Sequence, residues 1–146
     1  MTSFVSPKAI PQLADSETVF RDIEKKSGIH YSALVPNQQG MEKAILAGVK
    51  EIAIFTAASE TFNQRNINCS IKESIQRFEP VMALAKKHQI RVRGYISCVL
   101  GCPYEGTVTP QQVIKVVQSL LQLGVNEISF GDTVGVGTPK AGVSTF

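Results

Sequence analysis

The feature that most constrains the fold is a helix-ending phrase that the chain contains twice, at Ala47–Ile52 (AGVKEI) and at Leu123–Ile128 (LGVNEI). In each copy an amphipathic segment stops at a glycine, and a short apolar segment follows at once. Glycine often ends helices because it adopts a left-handed backbone without steric penalty. The recurrence therefore indicates an internal repeat of helix followed by strand.

Strand candidates alternate with helix candidates along the chain. The strand candidates are short, apolar and bounded by turn-forming residues; they cover Ile29–Val35, Glu51–Ala57, Ile90–Val99 and Glu127–Phe130. The helix candidates cover about Ser16–Lys26, Gln38–Ala47, Ile71–Gln89 and Pro110–Leu123. Two helix starts are marked by capping boxes, in which Ser70 pairs with Glu73 and Thr109 with Gln112.

This alternation predicts an α/β fold with a parallel sheet covered by helices. The sheet is either an open doubly wound sheet or a closed (β/α)8 barrel. The sequence contains no G-x-G-x-x-G turn, and Gly135–Lys140 lacks the spacing of a P-loop. The barrel is therefore the favoured closure. A complete barrel needs about 250 residues, so the 146 residues of this chain predict part of one.

Composition argues against several partners. Lys50 and Glu51 interrupt the best candidate for a membrane span, which needs roughly 18 apolar residues. A net charge of +3, scattered along the chain, argues against nucleic acid. Three cysteines, an odd number, do not form a disulfide framework, so a reducing compartment is expected, with the cytoplasm as the default location.

Candidate functional residues follow the carboxyl ends of the strands, because the loops there converge on one mouth. The segment from Ser129 to Thr133 is the most suggestive, since glycines after it allow backbone N–H groups to approach an anion. The alternative is that Asp132 and Thr133 cap the helix or turn that follows. Ser3 and Phe4 occupy the equivalent position near the start of the chain.

Two further segments carry polar or nucleophilic groups. Cys102, between turn-forming residues, is either a reactive thiol or a small apolar residue that packs in the turn. Cys98 and Cys102 do not complete a zinc site, because no second cysteine pair or nearby histidine accompanies them. Asn66 begins a predicted loop, 66–70, that either contacts a ligand or forms turns and caps.

Five collinear blocks cover nearly the whole chain, at Thr2–Lys8, Asn66–Ser70, Arg93–Tyr95, Gly101–Gly106 and Gly131–Pro139. Together they resemble the 3-hydroxy-3-methylglutaryl-CoA lyase family, whose members are (β/α)8 TIM barrels of the metal-dependent aldol-type lyase group. The resemblance implies a carbon–carbon lyase that splits this acyl-CoA substrate into acetyl-CoA and acetoacetate, in leucine catabolism and ketone-body formation. It also implies a divalent cation, Mg²⁺ or Mn²⁺, in the complete enzyme, and a homo-oligomer.

The family's metal ligands and catalytic residues have no counterpart in this sequence. The resemblance assigns the ligands to the first, seventh and eighth strands, whereas this chain matches strands three to six and the end of strand two. Cys102 lies in a loop that resembles the family's catalytic cysteine loop but precedes it. No catalytic residue and no metal ligand is therefore assigned here. What carries over is a substrate-binding set: Ser3, Phe4, Asn66, Ser129, Asp132 and Thr133.

The sequence thus predicts a partial TIM-barrel lyase domain over 1–139 and a divergent tail over 140–146, where the resemblance is lost. The isolated chain is expected to bind no catalytic metal and to have no lyase activity. Two alternatives remain: a related enzyme that condenses acetyl-CoA with a 2-oxo acid, and a non-catalytic half-barrel that associates through unpaired strand edges. For a eukaryotic member, the mitochondrial matrix is the alternative location.

Overall fold

The computed structural model describes residues 2–5 and 10–138, over which strands alternate with helices. The strands are β1 (Thr2–Ser3), β2 (Ser32–Leu34), β3 (Glu51–Ala57), β4 (Arg91–Ser97) and β5 (Glu127–Phe130). The α-helices are α1 (Ser16–Asp22), α2 (Gln38–Leu46), α3 (Glu60–Ile67), α4 (Ile71–Lys87) and α5 (Pro110–Leu123), and a short 3₁₀ helix covers Pro11–Leu13. Within this part of the chain, no helix combines the length and the apolar character that a membrane crossing requires.

The strands form one parallel sheet in the order of the sequence, β1-β2-β3-β4-β5. Thr2 pairs with Ala33, and Ala33 pairs in turn with Ile52, which sets the register of the first three strands. Strands that are neighbours both in sequence and in space form the wall of a (β/α)8 barrel, whereas a doubly wound sheet reverses its strand order. The observed order therefore agrees with the predicted partial barrel.

Two compact units make up the chain, Met1–Ile54 with Arg77–Arg93 and Phe55–Gln76 with Gly94–Phe146. The largest side chains buried in the first unit include those of Met41, Ile52, Ile54 and Phe78. In the second unit the largest are those of Ile96, Leu120, Val113 and Asn63. Gly94 of β4 brings α5 close to the sheet, because a Cβ there would lie 3.1 Å from the Leu120 side chain and 3.2 Å from that of Val125.

Three helices end with the same backbone hydrogen bond before the next strand begins. An N–H group donates to the carbonyl five residues earlier, in the pairs Val49 to Ala44, Ile90 to Ala85 and Val125 to Leu120. The residue before each donor has a left-handed backbone, with φ of 76° at Gly48, 55° at Gln89 and 94° at Gly124. The helix-ending role predicted for both glycines is confirmed, and α4 contains a third copy in which glutamine replaces glycine.

The sequence predicts the bounds of β3, β5 and α5 correctly, and both capping boxes are present. The candidates at Ile29–Val35 and Ser16–Lys26 are longer than the observed β2 and α1. Helix α3 was not predicted, and the prediction of a loop that begins at Asn66 is wrong, because Asn66 belongs to the last turn of α3. The predicted tail, 140–146, lies outside the described residues.

Candidate active-site wall at the carboxyl ends of the strands

Ser3 and Phe4 lie at the end of β1, and both are buried. The Ser16 hydroxyl donates to the Ser3 carbonyl, and α2 approaches so closely that a Cβ at Gly40 would lie 2.8 Å from the Phe4 carbonyl oxygen. The Ser3 hydroxyl oxygen is itself buried and has no hydrogen-bond partner among the described residues. Because an unpartnered buried hydroxyl costs free energy, this oxygen is a group that a bound ligand can satisfy.

The loop after β5, here called the β5 loop (131–138), is organised by one carboxylate. Asp132 Oδ1 accepts hydrogen bonds from the N–H groups of Gly135, at 3.1 Å, and Val136, at 3.3 Å, while Oδ2 accepts from Gly137 N–H at 2.7 Å. The backbone amides do gather around an anion, but that anion is the side chain of Asp132 itself. Asp132 therefore caps its own turn, as the structural alternative proposed.

Thr133 connects the β5 loop to the end of β4. Its hydroxyl accepts a 2.8 Å hydrogen bond from the N–H of Cys98, which is fully buried and has a left-handed φ of 60°. The Val99 N–H also donates to the Gly131 carbonyl, at 3.3 Å. Ser129, half-buried in β5, precedes this connection. The structure thus brings Ser129, Asp132 and Thr133 together in one segment beside the end of β4.

The loop after β4, here called the β4 loop (98–108), folds against α3. Its turn is closed by two backbone hydrogen bonds between Cys102 and Gly106, of 2.7 and 2.9 Å. The Glu105 carboxylate accepts from the Thr61 N–H at 2.6 Å, and the Arg65 guanidinium lies 4.3 Å from the centre of the Tyr104 ring. A carboxylate and an aromatic ring of the β4 loop thus contact the first two turns of α3.

Cys102 lies at the centre of the contact between the β4 loop and α3. Its sulfur is 3.0 Å from the Ser59 hydroxyl oxygen, and the N–H groups of Tyr104 and Glu105 donate to it at 3.4 Å each. The Ser59 oxygen accepts from the Phe62 N–H at 3.1 Å, so Ser59 also caps α3. This arrangement favours a negative charge on the sulfur.

The ionisable groups of the β4 loop have shifted pKa values. Burial raises the pKa of the Cys102 thiol, but hydrogen bonds from Ser59 and the two amides outweigh it, so the pKa lies below its ordinary 9.0. Burial raises the pKa of the Cys98 thiol to about 11, despite a hydrogen bond with Thr133. The hydrogen bonds with Thr61 lower the pKa of the Glu105 carboxyl. Two thiols of unlike acidity thus lie in one loop.

Asn66 is separated from the end of β3. It is exposed in the last turn of α3, about 10 Å along the helix axis from Ser59, where the helix begins. A buried network holds the helix in place: the Asn63 side-chain amide donates to the Cys69 carbonyl at 3.0 Å, and the Thr56 hydroxyl contacts Asn63 and Ser74. Asn66 therefore does not lie at the end of a strand, unlike the other residues of the predicted substrate-binding set that the structure places there.

Sequence reasoning did not include Ser59, Thr61 or Glu105 in the substrate-binding set. The available signal was a serine at the end of a strand, which is a typical start for a helix. The helix it begins, ETFNQRNI, is polar and lacks the apolar periodicity that indicates a helix. The contact between Ser59 and Cys102 joins residues that are 43 positions apart, so no local pattern indicates it.

Comparison with known proteins agrees with this architecture. The pattern of the HMGL-like family matches residues 7–145. The 3-hydroxy-3-isohexenylglutaryl-CoA/hydroxy-methylglutaryl-CoA lyase of Pseudomonas aeruginosa is 60% identical over 139 residues, which are 95% of this chain and 46% of that protein. The mitochondrial hydroxymethylglutaryl-CoA lyase of Rattus norvegicus is 56% identical over 138 residues, 94% of this chain and 42% of that protein.

Solved structures show the same relationship. The crystal structure of hydroxymethylglutaryl-CoA lyase from Pseudomonas aeruginosa has a TM-score of 0.93 and 58% identity, and the match covers 99% of this chain and 48% of that one. The structure of an HMG-CoA lyase from Acinetobacter baumannii, in complex with coenzyme A and 3-methylmalate, has a TM-score of 0.91 and 33% identity and covers 99% and 47%. The partial TIM-barrel fold is confirmed.

The chain spans a little under half the length of the relatives that it matches. The family match covers residues 7–145, which is nearly all of the chain. The resemblance drawn from the loop motifs is therefore confirmed, and the chain belongs to the HMGL-like family.

Proposed function

We propose that this chain forms the substrate-side wall of a 3-hydroxy-3-methylglutaryl-CoA lyase, which splits its substrate into acetyl-CoA and acetoacetate. One observation carries the proposal: the chain is 60% identical over 139 residues to a lyase of this kind. The fold adds that the blocks of resemblance include loops that follow the carboxyl ends of β4 and β5. In parallel α/β barrels these ends carry the active site.

The residues of the wall bind and orient in this proposal, and none of them is assigned a catalytic step. The Ser3 hydroxyl is buried without a partner among the described residues, so a polar substrate atom would recover the free energy lost by its burial, about 1–3 kcal/mol. Phe4, also buried, has its Cβ next to Gly40 of α2. Both are positioned by the backbone contacts with Ser16 and Gly40.

The β5 loop contributes the second part of the wall. The Asp132 carboxylate holds the loop backbone in one conformation, and Thr133 fixes that loop to the end of β4. With these two residues used for positioning, the Ser129 hydroxyl is the candidate for a direct contact with a polar group of the substrate. Asn66, exposed on α3, is proposed to contact a more distant part of the acyl-CoA.

A divalent cation, Mg²⁺ or Mn²⁺, belongs to the complete enzyme in this proposal. Within residues 2–5 and 10–138, no three His, Cys, Asp or Glu side chains lie close enough together to hold a metal ion. Both carboxylate oxygens of Asp132 already accept hydrogen bonds from backbone N–H groups. The described residues therefore do not fit a catalytic metal.

A chimeric enzyme tests the proposal. The matching 139 residues of the Pseudomonas aeruginosa lyase would be replaced by those of this chain, and acetoacetate release from 3-hydroxy-3-methylglutaryl-CoA would be measured. We expect the chimera to cleave the substrate, and Ser129→Ala within it to raise KM about tenfold, a loss of about 1.4 kcal/mol of binding. A folded chimera without activity would contradict the proposal.

The isolated chain provides the complementary measurement. We expect no acetoacetate release from the purified 146-residue protein, and EDTA-sensitive release would overturn the assignment of the catalytic groups to other parts of the enzyme. Incubation of the chimera with acetyl-CoA and a 2-oxo acid distinguishes the condensing alternative. Product formation from that pair, without cleavage of the lyase substrate, would favour the condensing enzyme.

A second candidate, association without catalysis, is favoured by apolar side chains on the second unit. Ile114 and Leu121 of α5 are 46% and 57% exposed, and Phe130 of β5 is 42% exposed. Sedimentation of the isolated chain tests this candidate, and a monomer at high concentration would count against it. A homo-oligomer, a role in leucine catabolism and a cytoplasmic or mitochondrial location remain proposals; the relatives include both bacterial and mitochondrial lyases.

A further inference from the structure

We propose that a cavity at the amino ends of β3 and β4 binds a small phosphate ester, whose phosphate group contacts Lys25 and Lys50. The cavity has a volume of about 360 Å³, which is at the lower end of the range for small-molecule sites. The candidate active-site wall lies at the carboxyl ends of the strands instead. The proposal therefore concerns a separate site and does not depend on the proposed lyase reaction.

The cavity is lined by connections that lead from a helix into the next strand. The connection between α1 and β2 contributes Lys25, His30 and Tyr31, the one after α2 contributes Lys50, and Arg91 stands at the start of β4. The Arg91 N–H donates to the Lys50 carbonyl at 3.0 Å, so the starts of β3 and β4 lie side by side. Residues from separate parts of the sequence thus converge on one concave surface within the first compact unit.

Positive charge exceeds negative charge on this surface. The described residues that line it include the cations Lys25, Lys50 and Arg91 and one carboxylate, that of Glu51. Glu51 Oε2 lies 3.9 Å from Arg91 Nε, so these two side chains balance each other's charge. The two lysine charges that remain favour a ligand with two negative charges. A phosphate monoester carries about 1.5 to 2 negative charges at neutral pH.

Lys25 is held in place by contacts within its own segment. Its Nζ donates to the Phe20 carbonyl at 2.7 Å and lies 4.8 Å from the centre of the Phe20 ring. The Tyr31 hydroxyl accepts from the Lys26 N–H at 3.1 Å and donates to the Glu24 carbonyl at 3.2 Å, which fixes the backbone on both sides of Lys25. An ammonium group has three donors, and the Phe20 carbonyl uses only one. A charge that is already positioned lowers the entropic cost of binding an anion.

Apolar side chains next to the lysines favour an ester over a free phosphate ion. Ile29 is 55% exposed, Tyr31 is half-buried, and both line the cavity. A small organic group on the phosphate would cover these side chains, whereas a free phosphate ion would leave them in water. The His30 imidazole, which also lines the cavity, carries a ring N–H in either tautomer and can donate to a phosphate oxygen.

A titration of the full 146-residue chain tests the site, with backbone amide NMR spectra recorded in a buffer without phosphate at low ionic strength. The probes are phenyl phosphate, inorganic phosphate and phenol. We expect phenyl phosphate to bind with a Kd of about 1 mM or lower and to shift the amides of Lys25, His30, Lys50 and Arg91. Inorganic phosphate, which covers no apolar surface, should bind about tenfold more weakly. Phenol, which carries no charge, should also bind at least about tenfold more weakly.

Two lysine variants test the contribution of charge inside the cavity. Lys50→Gln should weaken the binding of phenyl phosphate about tenfold, because it removes a hydrogen bond between charged groups. Lys43→Gln makes the same change at an exposed position of α2 outside the cavity lining, so it is the matched control and should leave the Kd unchanged. Urea denaturation of both variants verifies that they fold. An ionic strength of about 1 M, at which the Debye length is about 3 Å, should weaken binding to the parent.

Four results would overturn the proposal. The first is a titration with phenyl phosphate that does not saturate by about 10 mM. The second is equal binding of phenol and phenyl phosphate, and the third is an equal effect of Lys50→Gln and Lys43→Gln. The fourth is a set of shifts confined to Lys72 and Lys115, which line a different cavity. Since these measurements follow binding at the amino ends of the strands, they do not depend on whether the chimera is active.

Discussion

The β4 loop and the β5 loop follow neighbouring strands but are stabilised in different ways. The β5 loop is organised by a residue of its own, because one carboxylate accepts hydrogen bonds from three amides within the next five residues. The β4 loop is organised by α3, through contacts from Cys102, Tyr104 and Glu105 to that helix. The β5 loop is therefore shaped mainly by its own carboxylate, with Thr133 as its connection to the end of β4, whereas the β4 loop depends on α3.

This difference indicates which positions of the two loops tolerate substitution. A loop held by its own carboxylate can change its other side chains without losing its shape. When a loop is held by a neighbouring helix, a substitution in either element removes contacts that stabilise both. We therefore expect substitutions at the contact between the β4 loop and α3 to have larger effects than substitutions within the β5 loop.

The largest effect is expected for Ser59→Ala. The change removes both the cap of α3 and the hydrogen bond to the buried Cys102 sulfur, so the free energy of unfolding should fall by about 2 kcal/mol. Ser70→Ala, which removes only a cap, should cost about 1 kcal/mol. Urea denaturation of both variants measures the difference, and equal losses would show that the sulfur contact contributes nothing.

Thr133→Val is expected to cost about 1.5 kcal/mol. The substitution leaves the Cys98 N–H, in a fully buried residue, without its acceptor at the junction of the two loops. Thr133→Ser keeps the hydroxyl and should restore most of the stability. If the valine variant were as stable as the parent in urea denaturation, the hydrogen bond would not connect the loops energetically.

Asp132→Ala is expected to cost less, about 0.5–1 kcal/mol, because the amides that it releases are exposed and can bind water. The effect should be local: amide hydrogen exchange should accelerate at Gly135, Val136 and Gly137 but not in the β4 loop. Asp132→Asn keeps an oxygen for the first two amides and should accelerate mainly the third. Faster exchange throughout both loops would contradict the local organisation of the β5 loop.

The smallest effect at neutral pH, and a distinct one at alkaline pH, is expected for Cys98→Ala. Burial raises the pKa of the Cys98 thiol in the folded chain to about 11 from 9.0, so the neutral form stabilises the fold below pH 9. That contribution is lost as the pH rises from 9 through about 11. The parent should therefore lose more stability than the variant over this range, as measured by urea denaturation. If the free energies of unfolding of the parent and the variant changed equally with pH, the Cys98 thiol would not be the group responsible.

The sequence predicts the local features of this molecule well. The capping boxes, the helix-ending glycines and the bounds of β3, β5 and α5 all depend on residues within one or two turns of each other. The turn-capping role of Asp132 is also local, and it was one of two alternatives that the spacing allowed. Hydrogen bonds between residues that are close in sequence require particular residue types at fixed spacings, and these spacings can be recognised in the sequence.

The features that were missed depend on partners far along the chain. Helix α3 has little apolar periodicity, and it is held by a serine cap, by the buried side chain of Asn63 and by contacts from the β4 loop. The environment of Cys102 depends on Ser59, 43 residues earlier. Spacing left Cys102 open between a packed residue and a reactive thiol, because only the fold shows which donors surround its sulfur.

The hydrogen bonds that end α2, α4 and α5 also bear on the order in which the protein forms during synthesis. Each junction between helix and strand lies within six residues, so its hydrogen bond can form as soon as those residues leave the ribosome. Gln89 is the weakest of the three joints, because a residue with a side chain pays about 1 kcal/mol for a left-handed backbone that Gly48 and Gly124 adopt freely. The passage from α4 into β4 is therefore expected to be the least stable of the three.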